Sequence, residues 1–184
     1  YGITENDLSL YMPADPESLC KVGTDVRYLG YYLPWHPQSC YYYAKEHGGF
    51  EPSPERTPGT YSKYNSIDDR IDDFHYYTTY VKFGIGRATA DAAQEIRSDD
   101  ITRDEGVALV RRFDGEFPER FHEEVFRYLS IGSDDYGTVS EKFAQPVMDK
   151  DYFMEMADRF RSPHIWKFEN GAWALRHAVW HGEV

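Results

Sequence analysis

The chain has 184 residues, enough for one sizeable domain, and its 41% hydrophobic and 28% charged residues are ordinary for a folded protein. A net charge of −12, with no basic run to offset it, argues against nucleic acid and anionic membrane surfaces as partners. No apolar run reaches bilayer-spanning length and no signal-peptide pattern occurs, so a cytoplasmic location is expected.

In chain order, residues 1–65 read as an irregular segment. Pro13, Pro16, Pro34, Pro37, Pro52, Pro54 and Pro58 interrupt nearly every stretch and preclude long helices. Asp25 to Leu33 has the β-branched and aromatic content of a strand, and Gln38 to His47 that of a short helix stopped by Gly48 and Gly49. Residues 66–161 then read as helical. Ser66 and Asp69 are placed as a capping box for a helix whose apolar positions are Ile67, Ile71 and Phe74. After the glycines 84 and 86, an alanine-rich helix is predicted over Thr89 to Arg97. Thr102 and Glu105 cap a third helix through about Arg112, Pro118 opens a fourth, and Asp149 or Lys150 begins a last one ending near Arg161. Gly132 to Val147 is poorly patterned. In the tail, 162–184, Asn170-Gly171 between aromatic runs signals a β-hairpin. The fold class expected is therefore mainly α with a small C-terminal β-hairpin.

The sharpest local feature is Lys82 to Arg87, KFGIGR. Its two glycines precede a helix N-terminus, where exposed N–H groups and the helix dipole favour an anion, with Lys82 and Arg87 completing a phosphate or carboxylate cradle. A Gly-rich interhelical turn with two solvated cations is the competing explanation. Neither a dinucleotide fingerprint nor a Walker loop is complete here. Asp68, Asp69, Asp72 and Asp73 form two i,i+4 pairs ahead of His75, a spacing suited to Mg2+ or to one raised carboxyl pKa, yet also to simple helix N-terminal preference. His36 and His47 are loop histidines. Cys20 and Cys40 have no metal-ligand spacing, so reduced thiols and no metal site are expected. Sixteen tyrosines suit carbohydrate stacking, a large interface or core packing.

The block Gly59 to Pro118, GTYSKYNSIDDRIDDFHYYTTYVKFGIGRATADAAQEIRSDDITRDEGVALVRRFDGEFP, closely resembles the carboxy-terminal part of N-acetyl sugar amidotransferases of bacterial surface-polysaccharide and nonulosonate pathways. The likeness extends to Tyr1-Gly2, to LGYYLPWHPQ at Leu29 to Gln38, and to RSPHIW at Arg161 to Trp166. The resemblance implies the carboxy-terminal portion of an α/β PP-loop enzyme. Such enzymes adenylylate the acetamido oxygen with ATP, and ammonia from a partner glutaminase then displaces AMP to leave an acetamidino group. It also implies a nucleotide- or phosphate-linked N-acetyl sugar as substrate, the ammonia-supplying subunits as partners, and possible homodimer formation.

The SGG-x-D-S phosphate loop of such enzymes does not occur in this sequence. ATP and Mg2+ are accordingly expected to be held outside it, the chain to be a fragment or truncated product, and its activity alone to be nil. By the resemblance, Lys82, Gly84, Gly86 and Arg87 are the leading substrate or anion-binding positions. Asp68, Asp72 and His75 are carried over as pocket or interface residues, and Tyr61 and Arg97 fall in matching stretches. A docking module for the ammonia-supplying subunits is the alternative function.

Overall fold

The computed structural model describes residues 2–129 and 148–181. It divides into two units, Tyr1–Trp35 and His36–Val184. The poorly patterned stretch 132–147 and the resemblance at Tyr1 lie largely or wholly outside the described residues.

In the first unit, helix α1 (Pro16–Val22) starts where the Asp15 carboxylate accepts from the Ser18 N–H at 2.9 Å, and it stops at Gly23. The strand expected over Asp25 to Leu33 is not formed. A 3-10 turn, Leu29–Tyr31, stands in its place, closed by N–H groups of Tyr31 and Tyr32 donating to Tyr28 and Leu29 carbonyls. A single strand needs a neighbour to take its backbone groups; with none paired to it among the described residues, local bonds satisfy them instead. Every described residue of this unit is exposed.

The second unit is mainly helical. Helix α2 (Pro37–His47) carries Tyr41, whose ring stacks on Tyr64 at 4.7 Å between centroids. Helix α3 runs Asp72–Phe83 and so begins six residues after the predicted Ser66 start. Ser66 has a φ of 51°, outside the extended conformation an N-cap needs, and its hydroxyl hydrogen-bonds the Tyr76 hydroxyl at 2.6 Å. Asp69 accepts from the Ile71 N–H at 2.8 Å in a local turn. Asp68 and Asp69 therefore precede the helix, and the two predicted i,i+4 aspartate pairs do not exist on one helical face.

Helices α4 (Arg87–Arg97) and α5 (Arg103–Phe113) pack on each other, and α5 opens with the predicted Thr102–Glu105 capping box. A 3-10 turn (Glu119–Phe121) follows Pro118 before α6 (His122–Leu129), and α7 spans Lys150–Arg159 with Asp149 as its cap. The main core joins Phe74, Tyr77 and Val81 of α3 to Val125 and Phe126 of α6 and Phe153 and Ala157 of α7. Its rings meet edge to face, as Phe74 and Phe153 do at 5.6 Å, the arrangement aromatic quadrupoles favour.

Strands β1 (Trp166–Glu169) and β2 (Ala172–Leu175) form the predicted antiparallel hairpin, with Trp166 opposite Leu175. Asn170 and Gly171 both take positive φ, 53° and 80°, as a two-residue hairpin turn requires. The hairpin is fastened to α3 by Trp166, 3% exposed, whose indole N–H donates to the Val81 carbonyl at 2.7 Å. Gly84 lies under it with φ 70°. A Cβ there would come within 2.7 Å of Ile165 and 2.8 Å of Leu175, so this C-cap of α3 needs glycine for both conformation and room.

Candidate functional site

The KFGIGR element is where the sequence placed its strongest candidates. Gly86 is the N-cap of α4, and its N–H donates to the Asp114 carboxylate at 3.1 Å. The Thr89 N–H (3.2 Å) and hydroxyl (2.5 Å) donate to the same carboxylate, and the Ala88 N–H donates to the Gly59 carbonyl at 3.1 Å. The donors that would cradle a phosphate are thus engaged inside the chain, by a carboxylate that ends α5. Any side chain at Gly86 would overlap that carboxylate. Burial pushes the Asp114 carboxyl above the usual carboxylate range, against the lowering pull of the Thr89 and Gly86 hydrogen bonds.

The flanking cations diverge. Lys82 is exposed, with its ammonium 5.1 Å from the ring of its neighbour Phe83. Arg87 turns inward: its Nε donates to Asp91 at 2.9 Å, and its guanidinium lies over the Tyr76 ring at 4.9 Å while donating to the Tyr76 hydroxyl. Asp91 is buried and holds the loop 57–65 against α4, accepting from the Thr60 hydroxyl at 2.6 Å and the Asn65 amide at 3.2 Å. One turn on, Glu95 accepts from the Tyr61 hydroxyl at 2.9 Å. Arg87, Asp91 and Glu95 therefore line one face of α4, with Asp91 and Glu95 bound to the segment that carries Tyr61 and Arg87 bound to Asp91 and to Tyr76 of α3.

Two clefts open beside that segment. The first, about 710 Å³, sets Arg56, Lys63 and Arg120 among Glu55, Glu116 and Glu119. Arg56 grips Glu116 with two hydrogen bonds, 2.6 and 2.5 Å, and Glu116 also accepts from the Gly59 N–H at 2.8 Å. The Arg56 bonds hold the Glu116 carboxyl below its usual range. Arg120 pairs with buried Asp73 at 3.1 Å; desolvation nevertheless dominates and raises the Asp73 pKa. The second cleft, about 400 Å³, has the stacked Tyr41 and Tyr64 on its wall together with Tyr61, Glu95, Ile101 and Leu109. The Tyr64 hydroxyl donates to Gln38 at 2.9 Å and is pushed up to about 12, mainly by burial. Burial raises Glu95 as well, and raises Tyr61 with help from Glu95. Tyr61 and Lys63 line both clefts.

Of the residues singled out in the sequence, the structure joins Arg87 and Tyr61 through Asp91, Glu95 and the loop 57–65. Asp68, His75 and Arg97 are exposed, Asp72 at the start of α3 is half-buried, and none of the four lines either cleft. Asp91, Glu95, Arg56 and Glu116 were missed. The signal for the first two was present, because Arg87, Asp91 and Glu95 recur at a spacing of four within one helix. Arg56 and Glu116 are 60 residues apart, and no local pattern announces their pairing. Among the described residues, no group of three or more His, Cys, Asp or Glu is placed to hold a metal ion, and no helix is long and apolar enough to cross a membrane.

The described residues thus form a mainly helical unit with one tyrosine-walled cleft and one lined by paired charges. Residues 58–179 match the family described as LPS biosynthesis protein WbpG-like, C-terminal domain, and the chain belongs to that family. It is thus a protein of lipopolysaccharide biosynthesis. No curated protein matches it.

Proposed function

We propose that this chain is the sugar-binding part of an ATP-dependent N-acetyl sugar amidotransferase that turns an acetamido group into an acetamidino group during O-antigen or related surface-polysaccharide synthesis. Ammonia comes from a partner glutaminase in this reading, and the reaction is cytoplasmic. The observation that carries it is the junction of the two clefts at Tyr61 and Lys63. An aromatic-walled cleft of about 400 Å³ suits a pyranose, whose apolar face stacks on a phenol ring while its polar substituents meet Gln38 and Glu95. The cation-bearing cleft next to it suits the phosphate of a nucleotide- or phosphate-linked sugar, with Lys63 reaching it from the shared wall. Membership of a lipopolysaccharide-biosynthesis family agrees with such a substrate.

ATP and Mg2+, which the family resemblance implies, do not fit the described residues. The N-terminal donors of α4 are spent on Asp114 and Gly59, and no suitable cluster of metal ligands is present among the described residues. The role left to the chain's own side chains is to bind and orient the sugar.

Titration calorimetry of the chain with UDP-N-acetylglucosamine tests the proposal. Binding is expected, weakened about tenfold or more in Tyr61→Ala, because removing a stacking ring costs on the order of 1–2 kcal/mol. No heat of binding, or equal binding by the variant, would overturn it. A second reading, a docking module for the ammonia-supplying subunits, is favoured by the exposed aromatics of the first unit, Tyr28 and Tyr31 each at 84%. Retention of those subunits by the chain, and its loss on deleting residues 1–35, would support that role.

A further inference from the structure

Most polar side chains of the second cleft already make a hydrogen bond within the chain. The Gln38 amide is engaged at both ends, its oxygen by the Tyr64 hydroxyl and its nitrogen by the Tyr42 hydroxyl. The Ser62 hydroxyl accepts from Asn65 at 2.7 Å, and Lys63 donates to the Pro54 carbonyl at 3.0 Å. The Tyr61 hydroxyl donates to Oε2 of Glu95. Oε1 of Glu95 has no hydrogen-bond partner among the described residues. Burial holds that carboxyl above its usual range, against the lowering pull of the Tyr61 hydrogen bond. The Glu95 oxygen is therefore a charged acceptor that calls for a donor from the ligand, and it stands in a cleft that also presents two apolar side chains, Ile101 and Leu109.

An acetamido group has this combination: an N–H donor on one side and a methyl on the other. A hydroxyl in its place offers a donor but nothing to fill apolar space. We infer that Glu95 is the specificity-determining residue of the cleft, its free carboxylate oxygen accepting the acetamido N–H while the acetyl methyl packs on Ile101 and Leu109. This rests on the reading that the aromatic cleft holds the N-acetyl sugar. Tyr61 acts through Glu95 as a positioning residue: its hydroxyl occupies one carboxylate oxygen and so directs the other toward the ligand.

The test compares the affinities of UDP-N-acetylglucosamine and UDP-glucose for the wild-type chain and for Glu95→Gln and Glu95→Asp, with circular dichroism confirming each fold. A 2-hydroxyl can also donate to Glu95, so the wild-type preference for the acetamido sugar comes from the methyl packed on Ile101 and Leu109 and is expected to be about fourfold or more. In Glu95→Gln the Tyr61 hydroxyl claims the amide oxygen and an NH2 faces the ligand; the acetamido N–H can only donate and clashes with it, whereas a 2-hydroxyl turns to accept from it, so the preference is lost. Glu95→Asp keeps an acceptor at shorter reach and retains part of the preference, and it serves as the second variant if the glutamine form does not fold. A folded variant without the carboxylate that still prefers the acetamido sugar as the wild type does would overturn the assignment and leave the sugar-binding reading standing. Equal binding of both ligands by the wild type would overturn the assignment in the same way. Binding of neither would remove the reading itself and the assignment with it.

Discussion

Asp114 caps a helix to which it does not belong, and removing it measures how much the α4 N-terminus depends on an internal anion. In Asp114→Ala, the Gly86 N–H, the Thr89 N–H and the Thr89 hydroxyl lose their acceptor together. Loss of an N-cap costs about 0.5–2 kcal/mol, loss of an anion at a partly buried helix N-terminus up to about 2, and each orphaned donor about 1–3. These figures count the same groups in part, so a loss of about 2–4 kcal/mol is the reasonable range. For a chain of this size that lowers Tm by roughly 5–15 °C. Because the folded-state pKa of Asp114 is raised by burial, the native state binds its proton more tightly than the unfolded chain does. The wild type therefore gains stability relative to the variant as pH falls through that raised pKa toward the ordinary aspartate value. Differential scanning fluorimetry at neutral and mildly acid pH reads both effects. The vacated donors also predict that inorganic phosphate raises the Tm of the variant more than that of the wild type. A variant that melts within about 2 °C of the wild type, with no phosphate response, would refute the argument that the cradle is internally filled.

Two further perturbations test other parts of the structure. Gly84→Ala places a Cβ within 2.8 Å of Ile165 and Leu175 in a left-handed conformation, and a loss of about 2–4 kcal/mol in urea unfolding is expected; near-neutral behaviour would mean the hairpin does not seat on the α3–α4 turn. Glu116→Gln removes the charge that Arg56 and the Gly59 N–H hold down, a pair about a third exposed and so worth about 1 kcal/mol. The folded pKa of Glu116 is lowered, so its contribution is present at neutral pH and lost as pH falls through that value; the stability gap between wild type and variant should close in acid, and a gap that widens there would contradict the assignment.

What the sequence revealed follows the range of the interactions concerned. The Thr102–Glu105 capping box, the stop of α2 at Gly48 and the Asn170-Gly171 turn are decided within a few residues, and all three formed as predicted. Ser66 illustrates the failure of the same logic. Its pattern with Asp69 resembles a cap, but Asp is a methylene too short for the reciprocal bond, and the Tyr76 hydroxyl ten residues away claims the serine. The strand predicted over Asp25 to Leu33 failed because strand propensity cannot act without a pairing partner. KFGIGR does lie at a helix N-terminus, as its glycines indicated, but its donors meet Asp114, 28 residues beyond Gly86, where no spacing rule reaches.

The order of charges along α4 bears on how its inner face should be understood. An i,i+4 ion pair that merely supports a helix favours the acid N-terminal to the base, in keeping with the helix dipole. Here the order is reversed, with Arg87 in the first turn and Asp91 after it, so helix stability alone does not account for the pair. What accounts for it is the loop 57–65 together with α3: Asp91 binds Thr60 and Asn65 of the loop, Glu95 receives its Tyr61, and Arg87 covers Tyr76 of α3. That face is arranged to hold one loop in one position, and the residue the loop delivers, Tyr61, stands between the aromatic cleft and the charged one. A substitution at Asp91 should therefore affect ligand affinity through the placement of Tyr61, although Asp91 lines neither cleft.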